Sequence, residues 1–246
     1  MKYKNIRRMY HDLAKLWPII SPPNDYVGEA ELFTRLIRAN SGIPARTLLH
    51  IGCGGGHNDM TLKKRFDMNG IDISRAMLAL ARRLNPEVEY HCGDMRTVRL
   101  GRLFDAVVIA DSITYMTTEE DLSRAFTTAY VHLKPGGVFC TYAELSLERF
   151  RQNATEVTTH KHRNLEVVFL ENTYDPDSSD TTCEFKFVFL IKNRGRLRVE
   201  TDCHVAGLFK LQSWLDALYN AGFKVKESEY PGEGIPMFVC IKPLTR

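Results

Sequence analysis

The chain has no apolar run of the roughly 18 to 20 residues that a membrane-spanning helix needs. Its basic start, Met1 to Tyr10, leads into no apolar core of a signal peptide, so secretion is not expected. No C-x-x-C pair occurs among the six cysteines, at positions 53, 92, 140, 183, 203 and 240. Most of them sit in apolar runs such as Val138-Phe139-Cys140 and Phe238-Val239-Cys240. That favours reduced thiols in a cytoplasmic protein over disulfides or a zinc site. Repeats and low-complexity segments are absent. Neither sign of charge dominates, with a formal net charge of +3. The basic clusters Lys161-His162-Arg163 and Lys192-Asn193-Arg194-Gly195-Arg196 have acids nearby and read as a solvated face, not a nucleic-acid groove. What remains is an ordinary globular composition, 44% apolar and 26% charged over 246 residues. That length suits one α/β domain with an elaboration.

The most informative segment is Leu48-Leu49-His50-Ile51-Gly52-Cys53-Gly54-Gly55-Gly56. It reads as a buried strand breaking into a glycine-dense turn before a helix. Gly52, Gly54 and Gly56 permit tight turns and leave no Cβ in the way of a ligand. Asp72 closes the run Met68-Asn69-Gly70-Ile71-Asp72, 20 residues after Gly52 (72 − 52). A nucleoside-binding α/β unit carries its ribose-binding carboxylate at that distance. Helix capping competes for Asp72, but Ser74 can cap instead. A dinucleotide fingerprint, G-x-G-x-x-G, would need a glycine at position 57, which is His57.

Strand and helix then alternate. Strands are expected at 47–51, 68–72, 88–92, 104–110 and 137–142, and helices at 57–65, 74–84 and 118–132. Apolar strands separated by helices imply a parallel sheet with right-handed crossovers. Thr117 with Glu120 resembles a capping box. Before this unit, helical periodicity over residues 1 to about 43 is broken by a loop at Trp17–Pro23, and a helix follows from Tyr26 to Asn40. After it, 165–172, 183–193 and 196–204 read as an antiparallel ribbon. A helix at 210–221 and strands at 223–229 and 236–242 rejoin the main sheet.

Two further turns follow strands at the end where ligands bind in open α/β sheets. Gly93-Asp94-Met95 follows the third strand, where a carboxylate can accept from an adenine amine. Ala110-Asp111-Ser112-Ile113-Thr114-Tyr115-Met116 follows the fourth and offers Asp111, Ser112 and Tyr115 to a reacting centre. Tyr10, Tyr26, Tyr115 and His204 are candidate pocket groups.

In order, these segments resemble the class I S-adenosylmethionine (SAM) methyltransferases, whose first motif is G-x-G-x-G. The resemblance covers residues 47–142. It implies a Rossmann-like seven-stranded, mostly parallel sheet with one antiparallel strand. The flanks look similar to the amino-sugar N,N-dimethyltransferases and their glycine N-methyltransferase-like relatives. Met9-Tyr10-His11-Asp12 with Asp25-Tyr26 resembles their N-terminal tyrosine segment, and Glu200 to Phe209 leads into the Trp214 helix as theirs does. The resemblance implies one domain over 1–246, with an N-terminal helical lid (about 1–43) and an antiparallel insert (about 150–205). It implies SAM as methyl donor, held by Tyr26, Gly52, Gly54, Gly56, Asp72, Ile73, Met77, Asp94, Met95, Ala110 and Asp111. Tyr10, Tyr115 and His204 are then the candidate catalytic residues. Two positions depart from the pattern. His50 stands where the first motif usually has an acid, and Tyr115 stands where the amino-sugar enzymes carry a histidine.

The expected function is methyl transfer from SAM to a small molecule, with an amine nitrogen as acceptor. Methyl transfer from a sulfonium needs mainly positioning and a water-poor pocket, while an amine must arrive without its proton. A hydroxyl or carboxylate acceptor stays open. So do a nicotinamide-dependent oxidoreductase and a SAM-binding protein without turnover. Nucleic acid, membrane and metal are not expected as partners, and a homodimer is left open.

Overall fold

The computed structural model describes residues 7–244. The helices are α1 (Trp17–Ile20), α2 (Val27–Asn40), α3 (Asp59–Leu62), α4 (Arg75–Leu84), α5 (Glu119–His132) and α6 (Leu211–Asn220). The strands are β1 (Thr47–Ile51), β2 (Asp67–Asp72), β3 (Glu89–Cys92), β4 (Phe104–Val108), β5 (Leu133–Tyr142), β6 (Ala154–His162), β7 (Leu165–Tyr174), β8 (Thr182–Asn193), β9 (Arg196–Gly207), β10 (Lys224–Tyr230) and β11 (Ile235–Ile241).

Seven strands form a sheet in the order β10-β11-β5-β4-β1-β2-β3. Only β11 runs antiparallel to its neighbours. The order reverses between β1 and β4, so the loops after these two strands face one crevice. Neighbouring side chains on a strand point to opposite faces, and both faces here are covered. Leu48, Val108 and Val138 pack with Phe33 and Leu78 on one side. Leu49, Val107 and Phe139 pack with Phe126 and Trp214 on the other. This is why the strands read as continuous apolar runs in the sequence.

A second sheet, β6-β7-β8-β9, is antiparallel throughout. Val167, Phe187, Phe189 and Ile191 turn one of its faces onto Met9, Leu13, Leu16 and Ile20 of the N-terminal segment. Arg8 reinforces this contact through Glu200 at 2.8 Å, and the Met9 amide donates to Asp202 Oδ2 at 2.7 Å. The Ser74 hydroxyl donates to the Tyr10 carbonyl and its oxygen also accepts the Met77 amide, capping α4. The N-terminal segment is therefore tied to both sheets.

Several expectations need correction. The segment expected as a loop contains the short helix α1, because Pro18 sits in the first turn, where no backbone N–H is needed. Pro22 is extended, and Pro23 opens a 3₁₀ turn. The helix expected at 57–65 shrinks to α3. The cap of α5 lies one residue later than read, with Thr118 accepting the Asp121 amide at 3.1 Å. The inserted ribbon has a fourth strand, β6, which the sequence reading missed. It is an edge strand exposed almost throughout, so it carries no hydrophobic alternation and is held by pairing from Ala154↔Thr173 to His162↔Leu165. Among the described residues all six cysteines are free, and Cys92 is exposed whereas the other five are buried. No helix of the described residues is long and apolar enough to cross a membrane.

Candidate active site

The glycine turn after β1 is shaped by its surroundings. Gly52 has φ +74°, and a Cβ there would run into the Ser112 side chain from the loop after β4. Only glycine meets both demands at low cost. Asp72, at the end of β2, accepts the Gly54 amide at 2.8 Å and the Ser74 amide at 2.7 Å. Burial raises its pKa above the usual carboxylate range, against the pull of these two amides.

These elements enclose a cavity of about 460 Å³. Of the candidate cofactor residues, Tyr26, Gly52, Gly54, Asp72, Ile73, Met77, Asp94, Met95 and Asp111 line it. Gly56 and Ala110 do not. A Cβ at Gly56 would press on Asn85 Nδ2 (2.6 Å) and the Tyr90 hydroxyl (2.8 Å), so this glycine makes room for packing inside the protein. Ala110 is buried beneath the cavity wall. Asp94 is engaged by Arg96, whose Nε donates to Oδ1 at 2.9 Å, and this ion pair lowers its pKa.

A second chamber of about 300 Å³ adjoins the first. Tyr10, Trp17, Asp111 and Tyr115 line both. Glu144, Glu171, Phe169, Phe185 and Phe187 are also on its wall. Asp111 and Glu144 are exposed by area but line these cavities, and the protein packed around them thins the surrounding water. That desolvation, followed by the charge of Asp111, pushes Glu144 up to about 8. Burial and then Glu156 push Glu171 up to about 7, and Asp111 is raised chiefly by burial.

A hydrogen-bonded chain leaves the boundary between the chambers. Tyr10 and Tyr115 hydroxyls meet at 2.7 Å, and Tyr115 meets His204 Nδ1 at 2.7 Å. His204 Nε2 meets Asp202 Oδ2 at 2.8 Å. Because a carboxylate only accepts, Nε2 carries the proton and Nδ1 is free to accept from Tyr115. His204 is fully buried and lines neither chamber; it reaches them through Tyr115. Burial raises both tyrosines, keeping them neutral. Asp202 was not singled out in the sequence. The signal was there, since residues two apart on a strand share a face, and Asp202-Cys203-His204 has that spacing.

The cavity has the donors and acceptors that a SAM-sized polar ligand requires. Four buried polar atoms on its wall have no partner among the described residues: His50 Nε2, His57 Nδ1, Asn58 Oδ1 and Ser112 Oγ. Unpaired buried polar groups are costly, so their convergence on one cavity marks a place for a polar ligand.

Comparison with known proteins agrees. A methyltransferase-domain family model matches residues 48–137. The chain is 31% identical over 219 residues to the dTDP-3-amino-3,4,6-trideoxy-α-D-glucopyranose N,N-dimethyltransferase of Streptomyces venezuelae, covering 88% of this chain and 91% of that relative. The crystal structure of Streptomyces venezuelae DesVI superposes with a TM-score of 0.84 at 29% identity, covering 98% and 100% of the two chains. SAM-bound CalS10, an amino pentose methyltransferase from Micromonospora echinaspora, superposes with a TM-score of 0.79 at 27% identity, over 88% and 91%. Fold and sequence therefore agree that this chain belongs to the class I SAM-dependent methyltransferases, in which its similar relatives are sugar N,N-dimethyltransferases.

Proposed function

We propose that this methyltransferase acts on the amine nitrogen of an amino sugar that enters the chamber of Asp111, Glu144 and Glu171. The observation that carries this reading is the junction of the two cavities. The larger cavity and the acid-lined chamber share Tyr10, Trp17, Asp111 and Tyr115 there, and the Tyr10–Tyr115–His204–Asp202 chain begins at the same place.

Each part has a role in the chemistry. SAM, when bound, supplies an activated methyl group on a sulfonium. Gly52 and Gly54 give its amino-acid tail close access to backbone, and the free lone pairs of Asp72 accept from its ribose. Tyr26, Ile73, Met77 and Met95 supply apolar walls for the adenosine. An amine acceptor arrives as an ammonium ion at neutral pH, and its charge draws the chamber acids, raised towards neutrality in its absence, into their carboxylate forms. Its proton must leave before nitrogen can attack. Tyr10 accepts a proton as its own passes to Tyr115, whose hydroxyl proton moves to His204 Nδ1. Asp202 holds His204 in the receiving tautomer and stabilises the imidazolium that results. Trp17, Tyr26 and the rest of the N-terminal segment, with the β7–β8 wall, cover the crevice and exclude water.

The direct test incubates the protein with SAM and a panel of amino sugars and follows S-adenosylhomocysteine release with the mass of each product. Mass gains of one or two methyl units on the amine are expected. Methylation confined to hydroxyl-bearing acceptors without an amine would overturn the proposal.

A further inference from the structure

A position that departs from the resemblance, His50, also carries one of the four unpartnered atoms on the cavity wall. His50 is the fourth residue of β1 and lies at the floor of the donor cavity. Only 2% of it is exposed. Its Nδ1 donates to Asp59 Oδ1 at 2.6 Å, while its Nε2 has no partner. Asp59 is itself built in, with Oδ2 accepting the Tyr90 hydroxyl at 2.8 Å. Tyr90 takes a bond from Asn85 Nδ2 at 3.0 Å, and the same nitrogen donates to the Gly56 carbonyl at 2.8 Å. The network thus runs from the imidazole back to the glycine turn. It fixes the ring, with Nδ1 spent on Asp59 and Nε2 buried and unpartnered at the cavity floor.

We propose that His50, as an imidazolium backed by Asp59, donates its Nε2–H to the carboxylate of the methyl donor's amino-acid tail. An acid at this position would suit the ammonium end of that tail; a histidine on a carboxylate suits the other end.

The surroundings favour this assignment. Burial opposes the charged form of His50, but Asp59 outweighs it, and the pKa lies above the ordinary histidine value. The charged groups that face it are Asp59 on α3, Glu29 on α2, Asp72 on β2 and Asp111 after β4, all carboxylates that favour the imidazolium. The other basic groups of the wall are less available at this spot. Arg96 is held by Asp94 and Asp121. Arg7 lies over the Tyr115 ring, with its Cζ 4.4 Å from the centroid. His11 belongs to the N-terminal segment. His57, across the glycine turn, is driven down to about 4 by burial and stays neutral. Asp72 and Asp111 are left for the cationic parts of the ligand.

The inference concerns binding alone, so its test does not depend on knowing the acceptor. Calorimetry on the full chain compares S-adenosylhomocysteine with its decarboxylated analogue, for wild type, His50→Gln and His50→Asp. A lost charge-assisted hydrogen bond in a buried site corresponds to a weakening of roughly tenfold or more. His50→Gln should weaken S-adenosylhomocysteine by that factor and leave the decarboxylated analogue nearly unchanged. His50→Asp should reverse the preference between the two. In wild type the preference for the carboxylate should fade as pH rises through the His50 transition, because the donated proton is lost. Equal weakening of both ligands by His50→Gln would overturn the inference and leave His50 a purely structural residue. Should the variants fail to fold, nitrogen NMR of wild-type His50 decides. A shift at Nε2 on adding S-adenosylhomocysteine, absent with the decarboxylated analogue, supports the contact; identical shifts with both refute it.

Discussion

The two sheets hold their functional residues by different means. The loops after β1, β2 and β4 hang from strands buried on both faces and joined by parallel ladders. Gly52, Asp72 and Asp111 are therefore placed by the main core, and they were legible from the glycine pattern and strand ends. The antiparallel sheet has one face on the N-terminal segment, and its edge strand β6 is almost entirely exposed. It places His204, Asp202 and Glu171 through long-range contacts with Met9, Tyr10 and Tyr115. The parallel sheet carries the glycine turn, Asp72 and Asp111 of the larger cavity, whose wall the N-terminal segment completes with Trp17 and Tyr26. The antiparallel sheet brings Glu171 and the His204–Asp202 pair to the site only where three separate segments meet.

The first way to break that contrast is at the glycine turn. Gly52→Val puts a β-branched residue at φ +74° and its side chain into Ser112. Strain and clash together are worth a few kcal/mol, so S-adenosylhomocysteine affinity should fall by at least about a hundredfold. Circular dichroism should remain that of an α/β protein. Retained affinity in calorimetry would show that the glycine turn is softer than its packing implies.

The second acts on the assembled end. Tyr115→Phe cuts the chain at both of its hydroxyl contacts. Turnover on an amine acceptor should drop by about 10²-fold, the usual size of a general-base contribution, with donor affinity nearly unchanged. Asp202→Asn should lower turnover in the same direction by disturbing the His204 tautomer. Stopped assays of kcat alongside donor Kd separate this from a simple loss of binding.

A smaller effect concerns the chamber acids. Glu144 is raised to about 8 and Glu171 to about 7 in the folded protein, whereas an unfolded Glu titrates near 4.5. The folded state then binds more protons than the unfolded state across that interval. Stability should therefore be fully present below about pH 4.5 as far as these groups are concerned, and should decline as pH rises towards 8. Glu144→Gln should flatten the decline and raise Tm at pH 8 relative to wild type. A thermal-melt series over pH 5 to 9 checks this, and parallel curves for the two proteins would contradict it.

The smallest effect sharpens the contrast most directly. Arg194 has φ +48° in the two-residue turn between β8 and β9, beside Gly195 at φ +81°. Turns of this kind favour small residues at both positions. Arg194→Gly should be neutral or raise Tm slightly, with donor binding untouched. Left-handed backbone is thus decisive at Gly52 and nearly incidental at the hairpin tip. A large loss of activity in Arg194→Gly would mean that the tip serves the site after all.

Some features were unreadable for specific physical reasons. β6 escaped notice because an exposed edge strand needs no apolar alternation; its stability comes from pairing with β7. The helical turn at Trp17 was hidden because Pro22-Pro23, which cannot sit in a helix interior, made the whole stretch read as a loop, whereas Pro18 suits a first turn. Gly56 looked like a third ligand glycine, yet its missing Cβ makes room for Asn85 and Tyr90. His204 read as a pocket residue, but it stands one hydrogen bond behind the wall.

The amino-acid sequence by itself determined the parallel sheet, the glycine turn and Asp72, because each depends on local spacing and on hydrophobic runs that record burial on two faces. Tertiary structure alone decided which polar groups meet. Tyr10, Tyr115 and His204 lie 105 and 89 residues apart along the chain, in successive steps. Asp59 and His50 are nine residues apart yet share one buried pair. Burial and partner were set by tertiary packing, of β1 on α3 for His50 and Asp59, and of the loop after β4 on β9 for Tyr115 and His204. A side chain's chemistry depends on the solvent and charges around it, and those belong to the folded neighbourhood.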